Sequence, residues 1–213
     1  MTTLLLVRHG QSMANLEGFY AGQTDSPLSP LGKQQAQATA DFIVHSFAVD
    51  CIYSSDLRRA YATAEPVARR LSLPITPCRQ LREIDGGDWE RQPFVELKTR
   101  YAVDYSRWLS DIGNATCTNG ESVRQLSERV WQAVRDIAAA NDGKTVLITT
   151  HATPIRALQC RLQGLPLSEM HTVPWVTNAS VTVVRVQDGV FSLQDISLDA
   201  HLAELATALP DTV

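Results

Sequence analysis

The chain has 213 residues, 44% of them hydrophobic and 20% charged, and its net charge is -4 at neutral pH. That length can bury one sizeable core, and the composition is that of an ordinary soluble protein. Lys and Arg are scattered rather than clustered, which leaves no footprint for nucleic acid, and no apolar stretch approaches the ~20 residues needed to span a bilayer.

Met1-Thr2-Thr3 has neither the charged nor the apolar region of a secretion signal, so a cytoplasmic location is expected. Cys51, Cys78, Cys117 and Cys160 lie far apart, without the close spacing of a zinc knuckle or a redox pair, and no thiol chemistry is expected. Residues 1–213 read as a single domain.

In chain order, the first predicted element is a strand over 4–7, an apolar run that stops at Arg8, His9 and Gly10. A helix is expected after Pro30-Leu31-Gly32, where Ala36, Ala40, Ile43, Val44 and Phe47 fall on one face. A strand over 51–53, a helix within 57–71 and a strand over 74–77 follow. The polar stretch 88–119, which carries Tyr101, Tyr105 and Trp108, breaks the alternation and reads as an insertion, or lid, over the top of the sheet. The clearest helix lies within 120–141, with Val123, Leu126, Val130, Val134 and Ile137 as its apolar stripe and Thr118 with Glu121 as a candidate capping box. A strand over 146–149 delivers His151. A short helix over 155–163 is closed by Gly164 and Pro166, and strands over 180–186 and 190–196 meet at Asp188-Gly189, a hairpin signal. Only the tail after Asp199 looks loosely tied. Together these elements predict an α/β fold: a three-layer α/β/α sandwich on a mostly parallel mixed sheet, with one antiparallel edge strand.

A cation, an imidazole and a glycine at a strand tip are placed for chemistry, because in open α/β sheets ligands sit outside the carboxyl ends of the strands. Arg8-His9-Gly10-Gln11-Ser12-Met13-Ala14-Asn15 resembles the Arg-His-Gly-x-Thr-x-x-Asn signature of the histidine phosphatase (phosphoglycerate mutase-like) superfamily, with Ser12 in place of threonine. Asp25-Ser26-Pro27-Leu28-Ser29 and Ser55-Asp56-Leu57-Arg58-Arg59-Ala60 are similar to its next two segments, and the second selects Arg59 over Arg58. Leu81-Arg82-Glu83 with Gly87-Asp88-Trp89-Glu90, then Gly120-Glu121-Ser122, Thr150-His151-Ala152 and Asn178-Ala179-Ser180, complete the ordered series. The resemblance implies a metal-independent phosphomonoesterase without a cofactor, acting on a small phosphorylated metabolite.

The chemistry of the residues supports the same assignment. Planar guanidinium groups match phosphoryl oxygens with paired hydrogen bonds, so Arg8 and Arg59 read as two clamps. A helix starting after Gly10 would add backbone N–H donors, and Gly10 would let the anion approach. Asn15 and Ala152 join this phosphate-binding set. His9, with an ordinary pKa near 6.5, offers a nitrogen lone pair near neutral pH and is the expected nucleophile, its other nitrogen fixed by an acceptor. His151 is expected to donate to the phosphoryl oxygens in its cationic form. Glu83 is the expected general acid by resemblance; on spacing alone Asp85 and Asp88 compete with it.

Two alternatives remain at this level. A cofactor-dependent phosphoglycerate mutase usually carries a characteristic segment after the acid that 86–95 lacks. A non-catalytic phospho-ligand-binding module would have no need of His9, Glu83 and His151. The loop Thr118-Asn119-Gly120-Glu121 resembles that of the α-ribazole phosphatases, whereas Arg91-Gln92-Pro93, Ala152 and Thr153 depart from the family pattern. Oligomeric state, monomer or homodimer, is left open.

Overall fold

A computed structural model describes residues 1–208. Its sheet is built on β1 (Thr2–Arg8), whose Leu4, Leu5, Leu6 and Val7 are all buried. Successive side chains of a strand point to opposite faces, so Leu4 and Leu6 enter one apolar cluster and Leu5 and Val7 the other. A strand buried on both sides needs helices on both faces.

They are supplied by α2 (Pro30–Ser46) and α3 (Arg58–Leu71) on one side, through Ala40, Ile43, Ala64 and Val67. The other face packs on α6 (Val123–Ala140) and α7 (Ala152–Leu162), through residues such as Leu126, Val130, Ile155 and Leu158. The strands β2 (Cys51–Ser54), β3 (Ile75–Pro77), β4 (Thr145–Thr150), β5 (Val181–Gln187) and β6 (Val190–Leu198) complete a six-stranded sheet in the order β3-β2-β4-β1-β5-β6. The first four are parallel, so β1, β2 and β4 end at the same edge. The β5–β6 hairpin closes the opposite side: β5 runs antiparallel to β1, and β6, at the edge, antiparallel to β5. No helix among the described residues is long and apolar enough to cross a membrane.

Several boundaries differ from expectation for local reasons. Helix α2 starts at Pro30 itself, because proline's preset φ and missing N–H suit a first helical position and Ser29 Oγ accepts from Gly32 N at 3.0 Å. The capping box of α6 is Ser122 with Gln125, not Thr118 with Glu121. Thr118 is engaged elsewhere, donating to Asp104 and accepting from Trp89 Nε1, and Glu121 makes a two-point ion pair with Arg129. The 88–119 stretch holds α4 (Phe94–Arg100) and α5 (Ala102–Ser110), and its Leu97, Tyr105, Trp108 and Ile112 belong to the same buried cluster as α6. The segment after Asp199 is better anchored than its composition suggests. Leu202 is buried, His201 stacks on Phe42 at 4.6 Å, and the Gln35 amide donates to Leu205 O at 2.8 Å. The last residues of that tail lie outside the described residues.

Candidate active site

The common edge of β1, β2 and β4 collects the residues singled out from the sequence. β1 delivers Arg8 and His9, β4 delivers His151, Ser55 follows β2, and Arg59 lies in the first turn of α3. All are at least nine-tenths buried. The His9 backbone is held from three directions: its N–H donates to Thr150 O at 3.0 Å, and its carbonyl accepts from Asn178 Nδ2 at 3.0 Å and from Ala179 N at 3.3 Å. The Asn178-Ala179 segment thus acts on backbone rather than on a ligand.

The His9 ring is oriented by its neighbour. Nδ1 lies 2.7 Å from Gly10 O. A carbonyl only accepts, so the proton sits on Nδ1 and Nε2 keeps its lone pair. Arg59 Nε donates to that Nε2 at 3.2 Å. Burial, and then the charges of Arg59 and Arg8, push the His9 pKa well below its ordinary 6.5 against the opposing pull of Gly10 O, so the ring is neutral at physiological pH. His151, its centroid 5.1 Å from that of His9, is depressed in the same way by burial and Arg59. It is therefore neutral here, where a cation was expected, because a fully buried imidazole beside a guanidinium has nothing to stabilise a second positive charge. Its Nε2 lies 2.8 Å from Ser55 Oγ, which accepts from Leu57 N at 3.3 Å. That hydroxyl can give its proton to Nε2 or accept one from it; when it donates, the His151 proton sits on Nδ1, a buried atom with no hydrogen-bond partner.

The two arginines are less free than the sequence implied. Arg59 donates Nη1 to Thr24 O at 2.9 Å and Nη2 to Gly22 O at 2.7 Å, which commits one N–H of each to backbone, while Nε points at His9. Arg8 donates Nη1 to Val176 O at 2.6 Å, while its buried Nε has no partner. Burial lowers both pKa values to about 10, with Glu83 pulling the other way, and both remain cations at neutral pH.

Glu83 lines the same cleft as Arg8, His9 and Arg59. Its carboxylate accepts from Ile84 N at 2.8 Å and, more loosely, from Thr153 N at 3.4 Å. Asp85 and Asp88, which spacing could not separate from it, are exposed and engaged with Gly87 N and Asn119. Arg129 was not singled out, yet it holds the loop that presents Glu83: it donates to the carbonyls of Gln80, Arg82 and Glu83 at 2.7–2.8 Å and is anchored by Glu121. Glu90 does the same for the Arg59 support, accepting from Gln23 N, Gly86 N and Thr24 Oγ1. Neither signal was local, since both partners sit far away in sequence.

Two expectations about phosphate binding are corrected. Gly10 does not line the cleft; its N–H donates to Thr63 Oγ1, and an added Cβ would lie 2.5 Å from Gly32 O. Its lack of a side chain serves backbone packing rather than anion approach. The helix after Gly10 is the single turn α1 (Met13–Glu17), and the N–H groups of Gln11, Ser12, Met13 and Ala14 already donate to Gln35, Asn15, Pro27 and Ser26. Asn15 lines the cleft, with Oδ1 accepting from Ser12. Ala152 and Thr153 also line it at the start of α7, where the first N–H groups of a helix have no partner within it. No group of three or more His, Cys, Asp or Glu side chains able to hold a metal occurs among the described residues.

A neutral, tautomer-fixed imidazole flanked by two buried arginines, a carboxylate and a second imidazole is a site for an anionic group reacting at nitrogen. The sequence model of the histidine phosphatase superfamily (branch 1) matches residues 4–199. The chain belongs to that family. As a histidine phosphatase it is a phosphoric monoester hydrolase by class. It is 31% identical over 204 residues to phosphoserine phosphatase 1 of Hydrogenobacter thermophilus, covering 96% of each chain. It is 33% identical over 194 residues to the adenosylcobalamin/alpha-ribazole phosphatase of Escherichia coli, covering 91% of this chain and 90% of the relative. Among solved structures, Bacillus stearothermophilus YhfR superposes with a TM-score of 0.90 at 30% identity, covering 95% of this chain and 100% of that one.

Proposed function

We propose that this histidine phosphatase hydrolyses a small phosphorylated metabolite through a phosphohistidine on His9. The observation that carries the reading is the Nδ1 contact of His9 with Gly10 O at 2.7 Å, which leaves Nε2 as a neutral nucleophile. In the first step the Nε2 lone pair forms a bond to phosphorus as the ester P–O bond breaks, and the leaving oxygen takes a proton from the Glu83 carboxyl. In the second, Glu83 takes a proton from water, the water oxygen bonds to phosphorus, and the P–N bond breaks to release inorganic phosphate and restore His9.

Charge on the transferred oxygens is met by the unpartnered Arg8 Nε and by the Nδ1–H of His151, joined by Arg59 Nε, whose bond to His9 Nε2 is given up as that nitrogen bonds to phosphorus. Neutral His151 suffices for this role, because one N–H is all the hydrogen bond requires. Phosphoserine and α-ribazole phosphate, named for the relatives, illustrate the size class.

The test is rapid quenching of turnover on an aryl phosphate. Acid-labile, base-stable phosphate on His9 is expected, and His9→Ala should abolish both label and hydrolysis. Hydrolysis that survives His9→Ala refutes the mechanism. Glu83→Gln is expected to slow release of the labelled intermediate, so that label accumulates when an activated aryl ester no longer needs the acid.

A further inference from the structure

We propose that the outer part of the cleft is an aromatic subsite that selects phosphomonoesters whose alcohol carries a flat, uncharged ring. This rests on the phosphatase reading above and specifies its substrate class. The cleft has a cavity volume of about 90 Å³ and opens to solvent. Among the described residues lining it, the only charged ones are Arg8, Arg59 and Glu83, all within the catalytic group. The remaining wall is dominated by Phe19, Tyr20, Phe94, Trp108 and Trp175. Ser12, Asn15 and Thr153 are the other polar side chains on the wall, and none carries a charge to pair with a carboxylate or ammonium on the alcohol, so its loss of water there is costly. A ring would gain contacts.

The wall is also rigid. Tyr20 is buried and takes edge-on contacts from Trp89 at 5.4 Å, Trp108 at 5.9 Å and Phe94 at 6.2 Å. Trp175 comes from a distant loop and is fixed separately. The Arg156 guanidinium lies 4.2 Å from its ring centroid, and Arg156 itself is buried, donating to Val173 O at 2.7 Å and His171 O at 3.2 Å. Arg8 secures the same loop through Val176 O. Arg156 is thus a positioning residue for Trp175. Trp89 and Tyr105, outside the cleft lining, are buried almost completely, whereas Phe19, Phe94 and Trp175 stay partly exposed. Prefixed aromatic faces bind a ring without the entropy loss of ordering them.

The experiment compares kcat/KM for 2-phenylethyl phosphate, ethyl phosphate and O-phosphoserine, all alkyl esters, so that an activated aryl leaving group does not bias the result. The phenylethyl ester is expected to exceed each of the others by about tenfold. Trp175→Ala should lower the phenylethyl-to-ethyl ratio about threefold to tenfold, through KM rather than kcat. Arg156→Met should lower the same ratio and Arg156→Lys should retain part of it, since lysine keeps a cation over the ring. A preference for phosphoserine, or an unchanged ratio in properly folded Trp175→Ala protein, overturns the subsite. Calorimetric titration of the His9→Ala protein with 2-phenylethylphosphonate and ethylphosphonate separates this proposal from the mechanism. About tenfold tighter binding of the former supports the subsite even if no ester is hydrolysed, and equal affinities overturn it.

Discussion

Ser55→Ala removes one oxygen that never touches the substrate, and the geometry predicts a large effect. Ser55 Oγ lies 2.8 Å from His151 Nε2 in a site with no exposure to solvent. Without it the His151 proton is free to move to Nε2, and Nδ1 then turns an acceptor toward the phosphoryl oxygens. A hydrogen bond to a charged group is worth ~1.5–3 kcal/mol. At about 1.4 kcal/mol per factor of ten, its loss in the transition state lowers kcat about 10- to 100-fold. The orphaned ring nitrogen also destabilises the fold by ~1–3 kcal/mol, or roughly 2–4 °C in Tm per kcal/mol for a chain of this size. The assay is a double-mutant cycle with His151→Ala, reading single-turnover rate and thermal unfolding. If Ser55 acts by fixing the His151 tautomer, adding Ser55→Ala to His151→Ala should not slow catalysis further. An equal loss in both backgrounds, or a single mutant within twofold of the parent rate, refutes the reasoning.

Other consequences follow from the same geometry. His9 and His151 both have depressed pKa values, so the stability they contribute is complete above pH ~6.5 and is lost as pH falls toward their folded values, by up to about 1.4 kcal/mol per pH unit for each ring. Urea midpoints should therefore fall between pH 7 and pH 5.5, and NMR should find both rings still neutral at pH 5.5; a titration at 6.5 contradicts the burial argument. Arg59→Lys replaces three directed donors with one ammonium, and kcat/KM should drop about 100-fold; steady-state kinetics within fivefold of the parent would show that charge alone suffices. Gly10→Ala drives a Cβ to 2.5 Å from Gly32 O. Calorimetry should show a loss of ~1–3 kcal/mol, and phosphonate affinity should fall only as far as His9 shifts.

The sequence by itself determined the sheet and singled out the candidate reacting groups. Apolar runs such as 4–7 and 146–149 must be buried whatever surrounds them, and a polar residue directly after such a run must emerge at the strand tip. His9, Arg8 and His151 were legible for that reason, and Arg59 and Glu83 through ordered motifs. Which donors stay free was decided only in three dimensions. Two of the Arg59 donors are taken by Gly22 and Thr24, the Gly10 N–H by Thr63, and the N–H groups after it by partners as distant as Gln35. The roles of Ser55, Arg129 and Arg156 depend on contacts 96, 46 and 17 residues away, beyond any local periodicity. The aromatic wall is likewise tertiary. Of the three aromatics that stood out in 88–119, only Trp108 reaches the cleft; Phe94 joins it from the same stretch, and Phe19 and Trp175 arrive from separate segments. Hydrophobic pattern is set over a few residues, whereas the partner of a buried polar atom is set by which segments the packed core brings together.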